Sequence, residues 1–217
     1  MSTESPQVVP LESGGAAAAR SALERTIAAG GVVVFPSDGV YGLASDPLDP
    51  AAIARIHRMK GRDDGKPAAV MYFSPLAMRE LVAELGPRAA AAVSALLPGP
   101  VTLVVDNPGH RYPLACREDV ERLGIRLLAG PLGGAMCPVF QTSANLSGKP
   151  APSRFEDVPD SILAAVDLAI DGGTLGGLPS TVVDIAAIDA GGGWEILRQG
   201  AISEGDLASR LARVGLD

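Results

Sequence analysis

The feature that most constrains the fold is a series of short β-branched apolar runs, each closed by glycine, proline or aspartate. The run VTLVVD at 101–106, reached through a Pro-Gly-Pro turn within 96–107, is the clearest of them, and VVVF at 32–35 breaks at Pro36. Continuous apolar runs of this length, bounded by turn residues, read as buried strands rather than helices. Comparable runs occur at 68–73, 125–128, 139–142, 168–170, 181–185 and 195–198. Between them the spacing becomes helical. Residues 16–29 carry Leu23 and Ile27 four apart and stop at Gly30-Gly31, where glycine suits a helix C-terminus. Residues 49–60 place Ile53 and Ile56 on one face, 77–85 form a third helix, and 204–214 align Leu207, Leu211 and Val214. Strands interleaved with helices predict one α/β domain built on a mixed, twisted sheet.

Length and composition bound the function classes. The chain has 217 residues, within the range of one large domain, and shows no repeat or dividing linker. Residues 1–14 are polar and rich in Pro and Gly, so they are expected to form a flexible arm ahead of a domain at 15–217. With 47% apolar residues the chain is neither disordered nor fibrous. A net charge of −7 argues against a broad nucleic-acid footprint, although a local basic groove stays open. Cys116 and Cys137 fit no zinc or redox spacing and read as inert thiols. No apolar stretch approaches the ~20 residues of a membrane span, and the first residues lack a secretion signal. The expectation is a cytoplasmic protein that meets no membrane.

Five segments carry chemistry. PSDGVYGL at 36–43 is a strand-to-loop turn whose glycines admit close backbone approach and whose hydroxyls offer donors. Lys60, Arg62 and Lys66 put three cations within seven residues, which suits a polyphosphate as well as a solvated basic loop. TSANLSGKP at 142–150 is a polar turn able to meet phosphate oxygens or metal-bound water. A glycine-rich stretch, DGG at 171–173, leads to PSTVVD at 179–184, and Arg198-Gln199-Gly200 leaves a strand next to glycine. None of these is a Walker loop, a dinucleotide fingerprint or a nucleophile elbow, and each alone is weak.

Their order and spacing together resemble the Sua5/YrdC/YciO family, over roughly residues 17–203. That family carries PT-D/E-T-x-YGL, K-x-R followed by KP, PGPxT, SANxSG, D-x-G followed by STVVD, and R-x-G along one domain. The resemblance implies a twisted open α/β sandwich with a large concave cavity. It also implies that L-threonine, bicarbonate and ATP are converted to threonylcarbamoyl-AMP and pyrophosphate. That product feeds the N6-threonylcarbamoyl modification of adenosine in tRNA, so RNA or the threonylcarbamoyl-transfer machinery enters as an implied partner. The chain is similar to the short members, which lack an extra C-terminal domain.

Carried over position by position, the resemblance makes Lys60, Arg62, Ser143 and Asn145 the catalytic set. The same four, with Lys66 and Arg198, would bind ATP. Mg²⁺ would arrive with ATP, with no metal ligand expected from protein side chains. Ser37, Tyr41, Arg126 and Ser180 would face the substrate amino acid. This half departs from the family pattern. Ser37 and Gly39 stand where threonines are usual, Met71 where a His is common, Gln141 where a small residue is common, and Leu128 where an Arg-x-Pro proline is expected. These changes bear on which amino acid is accepted, because a site built to hydrogen-bond a hydroxyl discriminates strongly. A paralogue that binds nucleotide or RNA in the same cavity, with altered or lost threonine-dependent activity, is the alternative.

Overall fold

Ten strands pair into one mixed sheet in the order β1-β8-β2-β3-β7-β4-β6-β5-β9-β10. The computed structural model describes residues 6–11, 15–61 and 67–216, so Arg62 and Lys66 lie outside the described residues. The strands are β1 (Gln7–Pro10), β2 (Val33–Pro36), β3 (Tyr41–Ser45), β4 (Ala69–Tyr72), β5 (Val101–Asp106), β6 (Arg122–Leu127), β7 (Val139–Ser143), β8 (Leu168–Asp171), β9 (Thr181–Asp184) and β10 (Glu195–Arg198). The helices are α1 (Ala16–Ala28), α2 (Pro50–Lys60), α3 (Pro75–Glu84), α4 (Pro87–Leu96), the short α5 (Pro113–Cys116) and α6 (Asp160–Leu163), and α7 (Glu204–Ala212). The α/β class with a mixed sheet, expected from the runs, is the architecture observed.

Three elements differ from the sequence expectation. Residues 7–10, read as part of a flexible arm, form β1 and pair in parallel with β8. YGLAS at 41–45, read as a turn, is the fully buried β3 between β2 and β7. The alanine-rich stretch Pro87–Leu96 is a helix, α4, with Ala89, Ala92, Val93 and Leu96 turned into the core.

Strand alternation sorts the side chains onto two faces. On one face Val34, Leu43, Val70, Ile125, Leu103 and Phe140 belong to the larger core, which also takes in residues of α2, α3, α4 and α7. On the other, Val33, Phe35, Ala44, Met71, Val139 and Ile170 pack with α1 residues Ala19, Leu23 and Ile27. Helix α1 makes its main contacts with β1, β2 and β8, toward the opposite end of the sheet from β6, β5, β9 and β10. The half-face on those four strands carries polar residues developed next.

Candidate functional site

Helix α2 delivers the first group. Its start is fixed by Asp49, whose carboxylate accepts from the N–H of Ala51 at 2.8 Å and of Ala52 at 3.1 Å, with Pro50 in the first turn. Its end is fixed by Gly61 in the left-handed region, φ 62°, where glycine has no steric penalty. Lys60, the last helical residue, is only 2% exposed. Its ammonium donates to the carbonyl of Ser143, to that of Asn145 at 2.9 Å and to Asn145 Oδ1 at 3.4 Å. Ser143 Oγ donates to Asn145 Oδ1, and Asn145 Nδ2 donates to the carbonyls of Leu146 at 2.8 Å and Lys149 at 2.7 Å. Lys60, Ser143 and Asn145, from two distant segments, therefore share one polar turn.

The second group is held by the sheet. Arg126 on β6 is the register partner of Met71 on β4, so it projects to the α1 side. It is 6% exposed. Its Nη1 donates to Gln141 Oε1 at 3.0 Å, and its Nη2 forms an ion pair with Asp38. Burial, with the Arg198 charge added, holds the guanidinium below its ordinary value, and Asp38 opposes both. Burial pushes the Asp38 carboxyl up, with Arg126 pulling it back. Gln141 and Ser143 are alternate residues of β7, so they face the same side about 7 Å apart by strand rise. The Lys60 turn and the Arg126 cluster are thus joined by one strand.

The third group lies at the β9–β10 edge. Arg198 Nη2 donates to the Ser180 carbonyl at 2.9 Å and lies 3.4 Å from Ser180 Oγ, which is hydrogen-bonded to Thr102 Oγ1 at 2.8 Å. Thr181 Oγ1 donates to Ile202 O at 2.8 Å and accepts from the N–H groups of Gly200 and Ile202, both at 3.0 Å, fixing the turn after Arg198. A Cβ on Gly200 would collide with Pro179 and Ser180 backbone, which explains the glycine.

Among the residues expected at the site, the structure brings together Lys60, Ser143 and Asn145, places Arg126 on the same strand face, and ties Ser180 to Arg198. Tyr41 differs. It is fully buried in the larger core, on the opposite face from Arg126. Its hydroxyl accepts from Gly172 N at 2.9 Å and donates to Gly173 O at 2.8 Å, and burial pushes it up to about 12. It anchors the glycine-rich loop and does not front the site. Met71 is a fully buried core residue beside α1. Gly39 is explained by packing, since a Cβ there would fall on the Leu178 carbonyl, and Gly177 N donates to Gly39 O at 2.8 Å. Asp38 and Thr102 were not singled out from sequence, yet both stand inside the matching motifs, PSDGVYGL and PGPVT.

Ser37 lines a cavity of about 300 Å³ with Leu11, Pro36, Leu128, Leu132 and Leu175. A larger cavity of about 390 Å³ lies against α2 around Ile53, His57 and Arg117, and its lining includes none of Lys60, Ser143, Asn145, Arg126, Ser180 and Arg198. Convergence of polar groups, rather than size, marks the site. No cluster of three or more acidic, His or Cys side chains is poised for a metal among the described residues. None of the described helices is long and apolar enough to cross a membrane.

A family model named for Sua5, YciO and YrdC, described as telomere recombination, matches residues 25–200. The chain is 31% identical over 162 residues to the threonylcarbamoyl-AMP synthase of Pyrococcus abyssi, covering 72% of this chain and 47% of that protein. It is 32% identical over 231 residues to the threonylcarbamoyl-AMP synthase of Rattus norvegicus, covering 95% of this chain and 75% of that protein. Among solved structures, P. abyssi Sua5 in complex with L-threonine superposes with a TM-score of 0.75 at 26% identity, covering 97% of this chain and 61% of that one. Escherichia coli YciO superposes with a TM-score of 0.76 at 24% identity, covering 91% and 96%, a likeness of fold. The chain spans about half the length of the P. abyssi and Bacillus subtilis relatives, 47% and 46% of each.

Proposed function

The chain belongs to the Sua5/YciO/YrdC family, and on that premise we propose that it is an ATP-dependent L-threonylcarbamoyladenylate synthase. The observation that carries this reading is the meeting of two half-sites on one face of β7. Ser143 belongs to the Lys60–Asn145 turn, and Gln141, two residues earlier, holds Arg126. A cation with neutral oxygens suits a polyphosphate, and a guanidinium with a nearby carboxylate suits an amino acid.

In this reading the carbamate formed from threonine and bicarbonate attacks the α-phosphate and pyrophosphate leaves. Charge at the leaving group must be neutralised, which is the task of Lys60, Arg62, Lys66 and Arg198. Ser143 and Asn145 would meet phosphate oxygens or metal-bound water, with Mg²⁺ entering bound to the triphosphate as part of the substrate. Holding the reactants in one cleft would supply much of the acceleration. The adenylate would pass to the enzymes that modify tRNA. With a net charge of −7, transfer by a protein partner fits better than a direct grip on RNA.

The test is pyrophosphate release with Mg²⁺, ATP and bicarbonate, with threonine present, absent, or replaced by serine. Threonine-dependent release supports the reading. Absence of release with any amino acid, alongside intact ATP binding, overturns it.

A further inference from the structure

Arg117 holds a backbone conformation that suits glycine and strains a residue with a side chain, φ 62° and ψ −120°. Strain of this kind gathers at ligand sites, where the surrounding structure enforces it. Here the enforcing group is Asn107, which is 1% exposed. Its Nδ2 donates to the carbonyls of Arg111 at 3.0 Å and Val120 at 2.8 Å, and its Oδ1 accepts from the Arg111 N–H at 3.1 Å. The loop bearing Arg117 is thus tied down from within.

The Arg117 side chain lines the cavity of about 390 Å³ against α2. Its Nη2 donates to His57 Nε2, and because a guanidinium only donates, that ring nitrogen accepts and carries no proton. The imidazole is set edge-on against Phe140, with ring centroids 5.9 Å apart. A ring nitrogen satisfies one N–H but does not balance the charge, and Arg117 forms no ion pair among the described residues. Its Nε is enclosed and has no hydrogen-bond partner. Buried polar groups in proteins are almost always satisfied, and a cation drawn out of water calls for an anion.

The rest of the lining describes what that anion is attached to. Arg58 adds a second cation, while Pro50, Ile53, Ala54 and Leu114 are apolar. No acidic side chain is among the described lining residues. A concave, largely apolar wall with a few placed polar groups is the form of a small-molecule site. Ile53 and Phe140 belong to the larger core, so this cavity lies across the sheet from Arg126.

We propose that the α2 cavity is a second ligand site, for a small organic anion whose carboxylate or phosphate head meets the Arg117 guanidinium and whose apolar body lies against Ile53 and Leu114. Glycine at 117 would relieve the turn and lose the partner of the anion, which gives arginine a reason to stand there.

This inference does not rest on the synthase reading. It is tested by calorimetric titration of the whole chain, with ATP and Mg²⁺ present so that the Lys60 turn is not offered to the probes. Three probes are compared: benzoate, phenyl phosphate, and benzamide, which keeps the shape of benzoate without its charge. The tighter of the two anions should exceed benzamide by on the order of tenfold to a hundredfold, the scale of a charge-assisted hydrogen bond, and its identity assigns the head group. Arg117→Gly should abolish that margin, and a margin that survives puts the anion elsewhere and overturns the proposal. Ala54→Phe, at an exposed position on the cavity lining, should weaken the anion and benzamide alike with the guanidinium still in place. Unchanged affinity in that variant also overturns it, and decides the matter should the glycine variant not fold. Equal binding of the anions and benzamide to the unaltered protein, or binding of none of the three, is equally decisive against it.

Discussion

At the residue scale, the positions that depart from the family pattern have local physical causes. Gly39 carries no side chain because the Leu178 carbonyl occupies the space a Cβ would need. Gly39→Ala should therefore push the 176–179 segment away and cost about 1–3 kcal/mol, read as a lower denaturant midpoint with the slope unchanged. A midpoint equal to that of the unaltered protein would show the loop yields freely. Gln141 has a different cause, since it accepts from a guanidinium that is 6% exposed. Gln141→Leu leaves that N–H buried without an acceptor, so a loss of about 1–3 kcal/mol is expected. The same change should weaken threonine affinity more than ATP affinity, because only the Arg126 side of β7 is disturbed. Equal weakening of both would mean the two half-sites are not separable.

At the element scale, each functional side chain rides on the end of a helix or strand whose own start is fixed elsewhere. Asp167, just before β8, shows this for the sheet. It accepts from the Val32 N–H at 2.7 Å and from Arg55 of α2 at 2.7 Å and 3.0 Å, joining β8, β2 and α2. Burial pushes this carboxyl up, but the Arg55 and Val32 hydrogen bonds outweigh it and hold it below its ordinary 3.8. A carboxyl lowered on folding stabilises above its unfolded value, and the gain is lost as pH falls through the folded one. Asp167→Asn should thus cost about 1 kcal/mol at pH 7, a modest figure because the pair is partly exposed. The gap between variant and parent should begin to narrow as pH drops below about 4 and go on narrowing as pH falls through the folded value; a gap that does not narrow on acidification would contradict the linkage. How much was legible in the sequence divides along the same line. Runs such as VTLVVD announce themselves because both faces of the strand are apolar. β3 hides behind Gly42 and Ala44, small residues that read as a turn; at Gly42 the cause is local, since Gln141 and Phe35 crowd the space a Cβ would need. β1 hides because an edge strand buries little, and α4 because PRAAAAVSAL has no polar stripe to set its period. The motifs located Lys60, Ser143, Asn145 and Arg126, but the Asp38–Arg126–Gln141 cluster joins three strands or their ends and has no sequence period to betray it.

At the scale of the whole molecule, the ten-stranded sheet separates what stabilises the fold from what would bind nucleotide. β1 lies at one edge, covered by α1, and the Ser180–Arg198 cluster lies at the other, on β9 and β10. A ligand of the native state raises the melting temperature by mass action, so ATP with Mg²⁺ should stabilise the chain. Removing residues 1–11 deletes β1, leaves β8 as the edge and uncovers α1 core residues packed by Val9 and Leu11. A loss of about 1–2 kcal/mol would lower the melting temperature by about 2–8 °C for a chain of this size. Because the Lys60 turn and Arg198 touch nothing in β1, the increment produced by ATP should be the same in the truncated and full chains. Threonine is expected to behave differently, since Leu11 forms part of the wall beside Ser37. Its affinity should fall by a few-fold on truncation, even though no residue proposed to contact it has been changed. Thermal melts with ATP and calorimetry with threonine, run on both chains, check the two halves separately. Loss of the ATP increment would place the nucleotide near β1 instead, and retention of full threonine affinity would take the amino acid out of the Ser37 cavity.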